Sequence, residues 1–151
     1  MDEVKDVLRA RKIELVDDDG KTRVSIRLDK DGNSNMQFID DKGQVRVSVG
    51  ASDKGPASIS LSDCDGQTRV SAMVAENGSS YLFMYDRQGV TRVQVETGST
   101  DITTVILGGK DKKPLFKSTI ESVDENTEQG AITLYDSKGK LLFKAPQSLM
   151  P

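Results

Sequence analysis

Four arginines recur at one interval in this chain. Arg23, Arg46, Arg69 and Arg92 stand 23 residues apart, and each follows an aspartate by six positions, Asp17, Asp40, Asp63 and Asp86. If successive arginines lie on every second strand of a sheet, they form a ladder with a rung about every 9–10 Å. Such a ladder could grip a polyanion or an acidic glycan. The same side chains could instead pair across strands with acidic neighbours and keep one face solvated. The net charge of −3 favours the second role. Recognition of a phosphate backbone needs a basic surface, so nucleic acid is not an expected partner.

Catalytic chemistry is thinly supplied. The chain has no histidine and one cysteine, Cys64. A Ser-His-Asp triad or a Cys-His pair cannot be assembled, and a zinc site would lack its usual ligands. An enzyme would have to rely on paired carboxylates, as a glycosidase does. Acidic residues number 24, but most occupy turn positions, where capping explains Asp17, Asp40, Asp63 and Asp86. Asp17-Asp18-Asp19-Gly20 and Asp29-Lys30-Asp31-Gly32 have the aspartate density of a calcium loop. They lack the distant glutamate that an EF-hand requires. The expectation is a non-enzyme with no cofactor and no metal.

The most unusual segment is Tyr81-Leu82-Phe83-Met84-Tyr85. Leu82 and Met84 fall in register with an apolar face. That leaves Tyr81, Phe83 and Tyr85 on a face that is polar elsewhere, beside Met73, Arg69, Arg92 and Gln94. Aromatics ringed by arginine are enriched at protein interfaces. The alternatives are cover by another part of the chain, or a site where a sugar or base stacks.

These residues must be positioned by a repeat. Asp-x-x-Gly-x-x-Arg-Val occurs four times at a 23-residue period, and a fixed period of this length marks a repeat architecture. Aspartate first and glycine fourth is the preference of a type I turn, and the carboxylate can accept the turn's own amides. Second turns fall at Asp29-Lys30-Asp31-Gly32, Ser52-Asp53-Lys54-Gly55 and Ala75-Glu76-Asn77-Gly78. Between turns lie stretches of alternating polarity, the signature of half-buried strands. One strand series carries Ile13, Met36, Ile59, Leu82, Val105 and, after an insertion, Ile132. The other carries Val24, Val47, Val70, Val93, Phe116 and Phe143. Six units and about twelve short antiparallel strands follow. Pro114 degrades the fifth unit, and residues 121–130 read as a longer acidic loop.

The phrases Asp-Asp-Lys-Gly-Gln-Val-Arg-Val-Ser-Val at 40–49 and Tyr-Asp-Arg-Gln-Gly-Val-Thr-Arg-Val-Gln-Val at 85–95 resemble an uncharacterised group of bacterial β-hairpin repeat proteins. The resemblance covers about residues 12–96 and, less well, 132–144. It implies hairpin repeats and supplies no catalytic residue.

Three segments are expected: an amphipathic helix over 1–11, a β-hairpin repeat domain over 12–146 and a tail over 147–151. Every strand has one apolar face, and that face needs cover. A round barrel fills its interior at about eight strands, so twelve would leave a hole. The favoured solution is a closed prism of three four-stranded sheets, with Lys12 to Val16 paired to Leu141 to Lys144. The alternatives are a lumen plugged by the N-terminal helix, or an open sheet that buries its apolar face in an oligomer. The segment before residue 12 lacks the features of a signal peptide, and no run reaches membrane-spanning length. The reading is a cytoplasmic, non-catalytic β-repeat scaffold or interaction module, self-associating through the Tyr81/Phe83/Tyr85 face or the N-terminal helix. The second reading is a polyanion- or glycan-binding module.

Overall fold

The computed structural model describes residues 8–98, 102–109, 113–124 and 127–146. Twelve strands form one antiparallel sheet in strict sequence order. They are β1 (Lys12–Val16), β2 (Thr22–Leu28), β3 (Ser34–Ile39), β4 (Val45–Ala51), β5 (Ala57–Ser62), β6 (Thr68–Val74), β7 (Ser80–Tyr85), β8 (Thr91–Thr97), β9 (Thr103–Gly108), β10 (Pro114–Asp124), β11 (Thr127–Tyr135) and β12 (Leu141–Ala145).

The Asp-x-x-Gly phrase builds one turn five times. The amide of Gly20 donates to the carbonyl of Asp17 at 2.9 Å, and Gly43, Gly66, Gly89 and Gly139 donate likewise to Asp40, Asp63, Asp86 and Asp136. The aspartate amide closes the loop onto the residue four places on, as Asp17 does with Lys21. This is a three-residue hairpin loop in which a type I turn ends in a left-handed residue. The five glycines have φ of 75–83°, where a Cβ would be strained. A register shift beside each of these turns, as at Phe38/Ile39 and Leu61/Ser62, records the bulge that follows. Gly32 and Gly78 serve the second turns in the same way, with φ of 88° and 83°.

The pairing aligns side chains into continuous rows. One row runs Ile13, Ile26, Met36, Val49, Ile59, Ala72, Leu82, Val95, Val105, Ser118, Ile132 and Ala145. A second runs Leu15, Val24, Phe38, Val47, Leu61, Val70, Met84, Val93, Leu107, Phe116, Leu134 and Phe143. Both lie on the same face, so the expected register holds in all six units. A one-residue slip would turn a strand's whole apolar set outward, which pins each pairing.

Two expectations are corrected. The sheet does not close: β1 pairs with β2 alone and β12 with β11 alone. Neither the prism nor a barrel forms, and Lys12–Val16 does not meet Leu141–Lys144. Among the described residues each strand contacts only its sequence neighbours. Tight three-residue hairpins add one strand at a time to the preceding edge, and nothing in a local turn forces the last edge back onto the first. The acidic stretch is not a loop either. The backbones of Glu121, Ser122 and Asp124 pair with Gln129, Glu128 and Thr127, extending β10 and β11 into a longer hairpin. Pairing satisfies backbone groups that a loop would leave to water.

No helix occurs among the described residues, and residues 8–11 are irregular. The rest of the expected N-terminal helix and the tail lie outside them. No helix of the described residues is long and apolar enough to cross a membrane.

Candidate functional site

Among the described residues the sheet has no second layer, and this governs its chemistry. No apolar side chain among the described residues is buried; only Ser25, Ser79 and Thr104 are. Ile26, Phe38, Ile59, Leu61, Met84, Leu107 and Phe143 are 41–47% exposed, all on the two-row face. A stable domain packs the apolar face of a sheet against another layer, and contiguous exposed apolar surface of this extent marks an interaction site. The face expected to be the interior is therefore the strongest candidate surface.

A third, shorter row on this face changes its relief. Ser34, Ala51, Ala57 and Ser80 lie beyond the bulky middle row and leave the backbone uncovered. A groove of about 640 Å³ results, bounded by Ile26, Met36, Ile59 and Val74.

The opposite face is held by the repeat's polar residues. In each Asp-x-x-Gly turn the first aspartate's Oδ1 accepts the amides two and four residues on, at 2.9–3.0 Å for Asp40, Asp63 and Asp86. In the first four of these turns its Oδ2 meets the arginine of the same unit. Arg69 Nε donates to Asp63 at 2.6 Å and Arg92 Nε to Asp86 at 2.7 Å. Arg46 stands 3.6 Å from Asp40 and Arg23 3.8 Å from Asp17. The guanidinium also reaches forward into the next unit. Arg46 Nε donates to the Ser62 carbonyl at 2.9 Å, Arg69 Nη1 to the Asp86 carbonyl and Arg92 Nη1 to the Gly108 carbonyl at 3.4 Å.

Each of these three arginines thus ties its own turn to the next. The capping role explains the aspartates, and the arginine ladder is engaged along its length. The forward contacts went unread in the sequence. Their signal was the period itself, which sets each arginine strand beside the next unit's hairpin.

The donors hold these carboxylates ionised. Asp40 is lowered first by the Gln44 amide and Asp86 first by the Val90 amide, with Arg46 and Arg92 adding to each. For Asp63 burial acts upward, but the Gln67 amide and Arg69 outweigh it and the net direction is down. No group of three metal-ligating side chains occurs among the described residues.

The aromatic segment forms as expected but is not the most open surface. Tyr81 and Phe83 stack at 5.8 Å between ring centroids, and Phe83 and Tyr85 at 6.2 Å. All three are half-buried. Met73 pairs opposite Tyr81, and Gln94 opposite Phe83. Gln94 turns its amide to Glu96 at 3.0 Å. Arg69 and Arg92 donate to the aspartate turns. Stacking occupies both ring faces of Phe83 and one face each of Tyr81 and Tyr85.

No protein-family model matches this chain, and no curated protein matches it.

Proposed function

We propose that the chain is a non-catalytic β-repeat scaffold that completes its core by self-association. One observation carries the reading: twelve strands present two apolar rows interrupted only at Ser118, and no apolar side chain among the described residues is buried. The uncovered area is about 1,100 Å², taking twelve strands about 4.8 Å apart and six residues long. The aspartate turns and arginine ties supply structure rather than reactive groups, which supports a scaffold over an enzyme. They also engage the guanidiniums that an anion ladder would need.

Light scattering over a concentration series tests the reading. The expected result is an assembly that persists on dilution to micromolar chain. Phe83→Ser, on the opposite face, should leave it intact. A strict monomer at high concentration would remove the proposal.

A further inference from the structure

The two ends of the sheet fit one another. Every strand from β2 to β11 has a neighbour on both sides, whereas β1 and β12 each keep one bare edge. Such an edge offers a row of unpaired backbone groups to another strand. We propose that β12 of one copy pairs antiparallel with β1 of the next, in the register that joins successive repeats within the chain, so that copies add head to tail.

The interior junctions set that register. Where β2 meets β3, Val24 stands opposite Phe38, Ser25 opposite Gln37 and Ile26 opposite Met36. The junctions of β4 with β5, β6 with β7 and β8 with β9 repeat this pattern. Within its own unit β12 sets Phe143 opposite Leu134 and Ala145 opposite Ile132, as β2 sets Val24 opposite Leu15 and Ile26 opposite Ile13. Phe143, Lys144 and Ala145 are therefore the equivalents of Val24, Ser25 and Ile26. Ile13, Glu14 and Leu15 are likewise the equivalents of Met36, Gln37 and Phe38. Between two copies the same register puts Phe143 opposite Leu15, Lys144 opposite Glu14 and Ala145 opposite Ile13. Pro146 falls opposite Lys12 and, having no amide to donate, ends the ladder there.

Charge distinguishes this junction from those inside the chain. The position that holds Lys144 and Glu14 is uncharged at the first four interior junctions, with Ser25 opposite Gln37, Ser48 opposite Ser60, Ser71 opposite Phe83 and Gln94 opposite Ile106. Opposite charges directly across two strands attract. Glu14 meets Lys12 and Thr22 through Oε1, so Oε2 is left to accept from Lys144. Both apolar rows also run on into the next copy on the same side of the sheet.

The polar face matches too. Leu142 precedes Phe143 as Arg23 precedes Val24, so it occupies the position of the repeat arginines. Arg46 and Arg92 reach forward to the carbonyls of Ser62 and Gly108, the equivalents of Val16. Leu142 therefore comes to lie beside Val16. These two side chains are 64% and 59% exposed in the single chain, and each covers the other in the contact.

Other pairings of the edges do worse. Sliding the register by two residues sets Lys144 opposite Lys12 or opposite Val16, and the ion pair is lost. If β1 pairs with β1, Ile13 meets Leu15 only when Glu14 lies on Glu14. If β12 pairs with β12, Lys144 meets either itself or Leu142. The edge charges thus discourage these partners while admitting the opposite edge. A head-to-tail contact of this kind builds a ring where its rotation closes and a filament where it does not. It is separate from the apolar face and goes beyond the self-association proposed above, which concerns that face alone.

Charge reversal on the full chain tests the contact, read by sedimentation velocity at low ionic strength, where exposed pairs are least screened. Glu14→Lys alone and Lys144→Glu alone each set like charges opposite one another and should weaken the contact about tenfold. In an equimolar mixture of the two variants every junction between unlike copies has opposite charges again. The mixture should assemble as the unaltered chain does, and so should the double variant; this rescue separates a lost contact from a lost fold. If the single variants assemble like the unaltered chain, or if the mixture stays as small as its components, the edge contact is overturned. An assembly indifferent to both reversals leaves the apolar-face reading standing by itself. A strict monomer of the unaltered chain at high concentration would remove both.

Discussion

Replacing Ile59 with alanine should weaken the assembly far more than its position in an isolated sheet suggests. Ile59 lies in the middle apolar row, paired with Val49 and Ala72. In the single chain 43% of it remains exposed. Burying a whole isoleucine side chain is worth about 1.5–3 kcal/mol, so covering that remainder contributes about 1 kcal/mol per copy. A two-fold assembly loses the contribution twice, and about 2 kcal/mol is roughly a 30-fold rise in dissociation constant. The void left behind adds to the loss. Sedimentation equilibrium on dilution measures it directly. Ser60→Ala, one residue along and on the opposite face, is the control and should not move the constant. If Ile59→Ala shifts dissociation no more than Ser60→Ala does, the apolar face is not what the assembly buries.

Gly43→Ala should lower stability in urea by about 1–2 kcal/mol. Its φ is 82° and a Cβ would meet nothing within 4 Å, so backbone strain acts alone and Gly43→Asn should recover much of the loss. Gly108→Ala should destabilise for the opposite reason: a Cβ there would stand 2.7 Å from the Thr91 carbonyl oxygen, and asparagine should not rescue it. Arg69→Ala and Asp63→Asn should each lower the urea midpoint. Their double mutant should fall short of the sum, because the two side chains share one contact. Acid should destabilise the fold. Asp40, Asp63 and Asp86 have depressed pKa values in the folded chain, so their contribution is complete above the ordinary carboxylate value and is lost as pH falls through the folded ones. Stability followed from pH 6 to pH 2 should drop below about pH 4, and the triple Asp→Asn variant should flatten that slope.

Strand order, turn type and register were all legible in the residues, because each is decided within one hairpin. Asp17 to Gly20 and its four counterparts specify the loop and its bulge over four or five residues, and the alternation from Ile13 to Phe143 then assigns a face to every strand. Glu121 to Gly130 was misread as a loop: its acidity resembles a solvated turn, while its pairing depends on a partner strand that composition does not reveal. The arginines were legible as a ladder but not as ties, since the carbonyls they reach lie 16 or 17 residues away and adjoin them only across the sheet. Closure belonged wholly to the tertiary structure. Whether twelve strands meet their first edge depends on twist and coil summed over eleven hairpins, a quantity that no single turn encodes. The repeat therefore determines an apolar face by itself, and only the open sheet shows that this face is uncovered among the described residues.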